Sequence, residues 1–315
     1  SGGRWQSMGM AQQFDYTQQI AALYAGYGFT RTSWGFKVGA RYEMTFIDAA
    51  YNQGGARIDY GKPYGNFVPY ASISYNLSPM ESLRLSYTQR INRPGITYLS
   101  PYEQWTTPES VQSGNPDLQP EVTHSISAGY SIFKGVFNLN MQWFGMISTN
   151  SISPLFFIEQ ETGVTRSTYG NIATEQVYGL SAYISGQTSP KFNYYINLQP
   201  AYKTFSAPLM AMSDARWGGS VFAGFNWTAW KDGTISVNMG GGLPDGHMQL
   251  DSERMWYYYG CSVTQRFLDD KLKVTLSANN MFNKYNMYSI RTWGDGFEQF
   301  SEGGQRAQRL NLAVT

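Results

Sequence analysis

The sequence is nearly free of sulfur chemistry and holds little charge. One cysteine, Cys261, among 315 residues excludes an intrachain disulfide framework and a cysteine-based zinc site. Two histidines, His124 and His247, are too few for a histidine-rich metal centre. Charged residues make up 14% of the chain, where an average soluble domain has about 25%. The 23 Lys+Arg and 22 Asp+Glu leave a net charge of +1, with no basic stripe of the kind that grips nucleic acid. No apolar run reaches the roughly 18 residues that a transmembrane helix needs. There is no G-x-S-x-G, no H-E-x-x-H and no glycine-rich phosphate loop opening a helix. No catalytic residue, cofactor site or metal site is therefore assigned, and the chain is not read as an enzyme.

Aromatic residues are abundant instead: 24 Tyr, 18 Phe and 9 Trp, or 16% of the chain, beside 33 Gly. So many large apolar rings exclude disorder. The combination fits either an unusual soluble β protein or an outer-membrane barrel.

The residues alternate with a period of two. In Val122 to Phe133, residues Val122, His124, Ile126, Ala128, Tyr130 and Ile132 share one side, opposite Thr123, Ser125, Ser127, Gly129 and Ser131. From Trp34 to Phe46, Trp34, Phe36, Val38, Ala40, Tyr42, Met44 and Phe46 oppose Gly35, Lys37, Gly39, Arg41, Glu43 and Thr45. Leu272, Val274, Leu276 and Ala278 repeat the pattern. Alternation at 180° per residue marks strands between two environments. About fourteen strands are expected, many long enough for the ~9–11 residues that cross a bilayer.

Connections alternate as well. Short turns at 31–33, 78–81, 134–135, 189–191, 231–233 and 269–271 separate longer segments at 52–65, 92–121, 151–174, 206–215, 243–254 and 282–304. One tight rim and one elaborated rim is the plan of a transmembrane up-and-down barrel. The polar faces hold mostly Ser, Thr, Asn, Gln and Gly, which suits a lumen. The apolar faces, His124 and Cys261 among them, then meet outer-membrane lipid. Trp34, Tyr42, Trp143, Trp217, Trp227, Trp256 and Tyr258 are expected in interfacial girdles. Lys37, Arg41, Glu43, Arg84 and Lys273 are expected to point inward.

Four strings resemble one family. Gly114 to Glu121 (GNPDLQPE) resembles the N-P-x-L-x-P-E segment that precedes a strand in TonB-dependent outer-membrane receptors. Gly39 to Glu43 resembles their G-x-R-Y-E strand, and Asn279 to Tyr285 their N-L-F-D/N-K-x-Y string. Leu85 to Pro94 is similar to the Bacteroidota version. The resemblance implies a 22-stranded barrel with an N-terminal plug, coupled to the TonB complex at the Gram-negative outer membrane. It also implies uptake of a scarce chelate, glycan or peptide.

Fewer strands are present, and neither plug domain nor signal peptide is visible. The chain, 1–315, is thus read as one barrel region, the C-terminal part of a longer protein, with the TonB contact in a missing N-terminal segment. A surface lipoprotein is a further possible partner. Two alternatives stay open: a structural subunit of a larger outer-membrane assembly, and a passive porin. Ligand contacts are expected in the outer loops, at Arg93, Tyr98, Tyr102, Trp105, Arg291, Trp293 and Asp295, where aromatics stand beside charge.

Overall fold

The structure, a computed structural model, describes residues 14–53, 56–61, 63–244, 246–247, 249–252, 254–294 and 297–315. Thirteen strands form one antiparallel meander in chain order. They are β1 (Phe14–Arg31), β2 (Trp34–Gln53), β3 (Tyr64–Ser78), β4 (Glu81–Asn92), β5 (Glu121–Lys134), β6 (Phe137–Ile158) and β7 (Thr165–Ser189). After these come β8 (Phe192–Ala207), β9 (Met212–Trp230), β10 (Gly233–Gly242), β11 (Trp256–Phe267), β12 (Leu272–Asn279) and β13 (Arg309–Val314). The fold is thus the all-β, up-and-down sheet that the alternation predicts. Each strand pairs with the next, because hairpin neighbours close the shortest loops. Among the described residues β1 pairs only with β2 and β13 only with β12, so the sheet is an open wall.

Register keeps each face consistent from strand to strand. Tyr87, Ile126 and Gly145 lie side by side, as do Ser86, Ser127 and Phe144. The first row continues to Tyr178, Tyr202 and Trp217 on the outward face. That face leaves large apolar side chains uncovered: Leu23, Tyr27, Phe67, Ile126, Trp217 and Leu312 are all more than half exposed. Cys261 belongs to it, between Val237 and Ala278, and is exposed. His124 does too, and its Nδ1 lies 2.9 Å from the Tyr87 hydroxyl. On the inward face, hydroxyls bond across the ladder, as in Ser86 with Ser127 (2.8 Å) and Thr264 with Thr275 (3.0 Å).

Two expectations need correction. Trp256 and Tyr258 do not join the outer girdle; they pair with Gly242 and Gly240 on the inward face, and Trp256 packs 5.6 Å from Phe222. Their neighbours Tyr257 and Tyr259 face outward with Cys261 and Val263. A run of four aromatics carries no polar residue to mark its phase. Some of the longer segments expected as connections, 151–174 and 282–304 above all, are also largely strand. β6 and β7 pair on to Ile158 and Thr165, and 285–294 forms a hairpin with 297–306. This hairpin, with 246–247 and 250–252, makes a separate four-stranded sheet at the long-loop end.

If the outward face meets lipid, Ile126→Arg in the intact protein should cost about 2–4 kcal/mol of folding stability. Ser125→Arg, on the inward face one residue away, should cost far less. Equal losses in denaturant titrations would refute this assignment of faces.

Candidate functional site

The meander curves so that its inward face lines a cavity of about 780 Å³. Arg90, Gln142, Gln199 and Lys203 reach it, with Ser86, Ser125, Ser127 and Ser220 between them. Each comes from a strand position whose neighbours alternate outward, so the sequence period alone brings them together. Trp256, Leu243 and Pro244 form the long-loop border.

Above the cavity, polar side chains fasten the loop rim. Glu43 is only 2% exposed and is ion-paired to both Arg93 and Arg41. Arg93 also donates from Nε to Thr45 Oγ1 at 3.1 Å. A carboxylate this buried needs its counter-ion, because desolvation otherwise disfavours the charge. Arg93 is therefore turned into the wall and away from solvent. Near it, Tyr16 Oη, Gln18 Nε2, Tyr64 Oη and Asn66 Nδ2 are buried without a hydrogen-bond partner among the described residues.

Tyr98 and Trp105 sit on the extended end of β7. Tyr98 stacks edge-on against Tyr169 at 4.6 Å, and Ser110–Gln112 adds a parallel strand to Thr165–Ser167. Asn115 of the GNPDLQPE string anchors this segment, its Nδ2 donating to the Tyr169 carbonyl (2.9 Å), and Gln112, just ahead of the string, donates from Nε2 to the Tyr169 hydroxyl (2.6 Å). Burial pushes the Tyr169 phenol above its ordinary pKa, with the neighbouring Tyr98 adding to the shift. Arg166 bridges Glu103 (2.5 Å) and Glu159 (3.3 Å). A hydrogen bond from Thr162 (2.6 Å), aided by Arg166, holds the Glu159 carboxyl below the usual range.

Arg291 and Trp293 lie on the separate hairpin. Arg291 stands 5.7 Å over the Trp293 ring and pairs with Glu298 at 2.6 Å. Tyr102 is half-buried beside Glu103. Asp295 lies outside the described residues, as does the side chain of His247. The six described loop residues thus divide between the β2 wall, the segment docked on β7 and the distal hairpin. No group of three or more His, Cys, Asp or Glu suited to a metal occurs among the described residues.

Gln249 is a rim residue that the sequence did not reveal. It is 2% exposed, and its side-chain amide copies a strand pairing: Oε1 accepts from Phe156 N–H (2.9 Å) and Nε2 donates to the Phe156 carbonyl (3.1 Å). Its own carbonyl accepts from Trp293 N–H at 3.0 Å. One residue thereby fastens the distal hairpin and its own loop to the end of β6.

The model of a family described as "Outer membrane protein beta-barrel family" matches residues 2–315. No curated protein matches. Among solved structures, the sheet is similar to the copper transporter OprC (TM-score 0.69, 11% identity, 95% of this chain and 48% of that one). It is also similar to the ferric-catecholate import receptor Fiu from K12 E. coli (0.63, 14%, 96% and 45%). The ferric yersiniabactin uptake receptor FyuA from Yersinia pestis is a third such structure (0.63, 14%, 96% and 46%). The chain spans about half the length of each of these proteins.

Two substitutions separate fastening from binding. Arg93→Ala should lower stability by about 1–3 kcal/mol, because the Glu43 carboxylate loses its buried partner and keeps only the more exposed Arg41. Pairing Arg93→Met with Glu43→Leu should recover most of it in the same unfolding assay. Gln249→Ala should raise amide exchange at Phe156 about tenfold or more, from the loss of about 1–3 kcal/mol. Exchange at Ile126 should not change; a uniform rise across the sheet would show that Gln249 supports the whole wall.

Proposed function

The chain belongs to the outer membrane protein beta-barrel family and lies in the Gram-negative outer membrane, and from that footing we propose that it forms the wall of a TonB-dependent transporter. The observation that carries this reading is the continuous wall with an apolar outer face and a polar inner cavity. The receptor strings in the sequence add to it, as does the likeness to larger import proteins. On this reading the chain is the C-terminal portion of a larger barrel of Bacteroidota type. Outer-membrane lipid surrounds it, and sequence outside these 315 residues supplies the plug and the TonB contact.

The work is conformational. A scarce solute, whether chelate, glycan or peptide, is held first by the aromatic and charged loop platforms at Tyr98, Tyr102, Trp105, Arg291, Trp293 and Asp295. Energy delivered through TonB then opens the lumen. No covalent step is needed on this reading, and it assigns no catalytic residue. A surface lipoprotein fits above the loop rim.

Deleting the protein and deleting TonB should give the same growth defect on one limiting nutrient, and collapsing the proton-motive force should abolish uptake of that nutrient. Uptake that survives without proton-motive force would favour a passive porin. Loss of a partner complex with uptake intact would favour a structural subunit.

The isolated 315-residue chain should fail to insert as a folded barrel, because β1 and β13 leave backbone groups unpaired in lipid. Heat-resistant, fast-migrating protein in electrophoresis after refolding into vesicles would contradict this.

A further inference from the structure

Carboxylates on the inward face keep to one end of the described wall. These, Glu43, Glu121, Glu175 and Asp214, all lie toward the long-loop rim, and each has a partner. Glu43 holds Arg93 and Arg41, and Glu121 accepts from Asn92 (2.7 Å) and Ile152 N–H (2.6 Å). Glu175 accepts from Ser151 at 2.6 Å, and Asp214 from Arg216 Nε at 2.7 Å.

Toward the tight turns the inward-facing charges are cationic. Lys37 lies across from Ser72, Arg84 between Ser74 and Gly129, and Arg266 across from Lys273. Arg90 joins them from the cavity. Among the described residues Lys37, Arg84, Arg90 and Lys273 have no ion pair or side-chain hydrogen bond. Only Arg266 has a carboxylate near, Asp270 of the adjoining turn at 3.6 Å.

We propose that the inward face is an anion path: the solute carries carboxylate, phosphate or sulfate groups that meet Arg90 in the cavity, then Arg84 and Lys37 toward the tight-turn rim. This deepens the transport reading and rests on it. A concave wall of one sign, backed by low-dielectric protein and lipid, focuses its field and enriches the opposite ion. Guanidinium groups present paired donors that match oxyanions, and charge-assisted bonds of this kind are the strong ones. A neutral solute would leave these cations unanswered, and a cationic one would be repelled. The carboxylates that could have neutralised the path are committed to the loop rim instead.

The test uses the intact protein purified in detergent, with the trisulfonated dye pyranine as probe, read by fluorescence anisotropy. Pyranine should bind at low salt and release in about 1 M salt, where screening acts within about 3 Å. Arg84→Gln with Arg90→Gln should weaken binding about tenfold, as expected from losing one charge-assisted hydrogen bond, with melting unchanged. Arg254→Gln, paired with Glu302 on the loops, should leave binding as it is. Unchanged affinity in the double variant overturns the proposal. So does absence of pyranine binding with carbodiimide cross-linking of Lys37 or Lys273 to a carboxylate, which would assign the cations to an acidic protein segment. Energised uptake of an uncharged nutrient would sink the anion path and keep the transporter. Pyranine binding without energised uptake would do the reverse.

Discussion

Every backbone N–H and C=O in this wall must be paired by a neighbouring strand, and the rest of the structure follows from that requirement. Hydrocarbon offers no alternative partner, so a strand crosses only inside a ladder. Among the described residues the meander pairs every internal strand on both sides and leaves β1 and β13 paired on one side only. Pairing also explains the small departures. Pro200, which has no N–H, is opposed by Gly219 at φ +126°, where a Cβ would collide with the Gln199 carbonyl. Only glycine lets the ladder continue past that proline.

The same ladder makes half the architecture readable from sequence. Where lipid lies on one side and water on the other, each strand must alternate, and β12 does so throughout, as do β2 as far as Phe46 and β5 from Val122 to Ile132 apart from His124. The pattern fades where a strand leaves the bilayer, because both faces then meet water or loops. That is why Thr165–Ser167 and the 285–306 hairpin read as irregular while being strands. Trp256 and Tyr258 show the opposite failure: the apolar signal is strong but has no phase, and only the register with Gly240 and Gly242 settles it.

The rim was less legible, for a reason of distance along the chain. Arg93 reads as an exposed basic loop residue until Glu43, 50 residues earlier, is brought beneath it. Gln249 reads as an ordinary polar loop residue until its amide meets Phe156, 93 residues away. Neither pairing leaves a local pattern. The inward positions of Lys37, Arg84 and Arg90 could be inferred from alternation, because facing is a local property. Their lack of partners could not, because it depends on which carboxylates the loops recruit.

The division of labour across the membrane normal follows from these two kinds of contact. Long loops bring distant residues together, so the loop rim can satisfy its own charges: Glu43 with Arg93, Asp214 and Asp251 with Arg216. Tight turns bring together only neighbours in sequence, and the strands there present Ser, Gly and cations to one another. A wall built this way finishes its electrostatics at one end and leaves them open at the other. Since an inward cation keeps some hydration as long as the lumen is wet, the open end costs little in the free wall. It becomes favourable only when something of opposite charge enters. On the anion-path proposal the asymmetry answers to what enters the lumen, and stability of the sheet alone gives no reason for it.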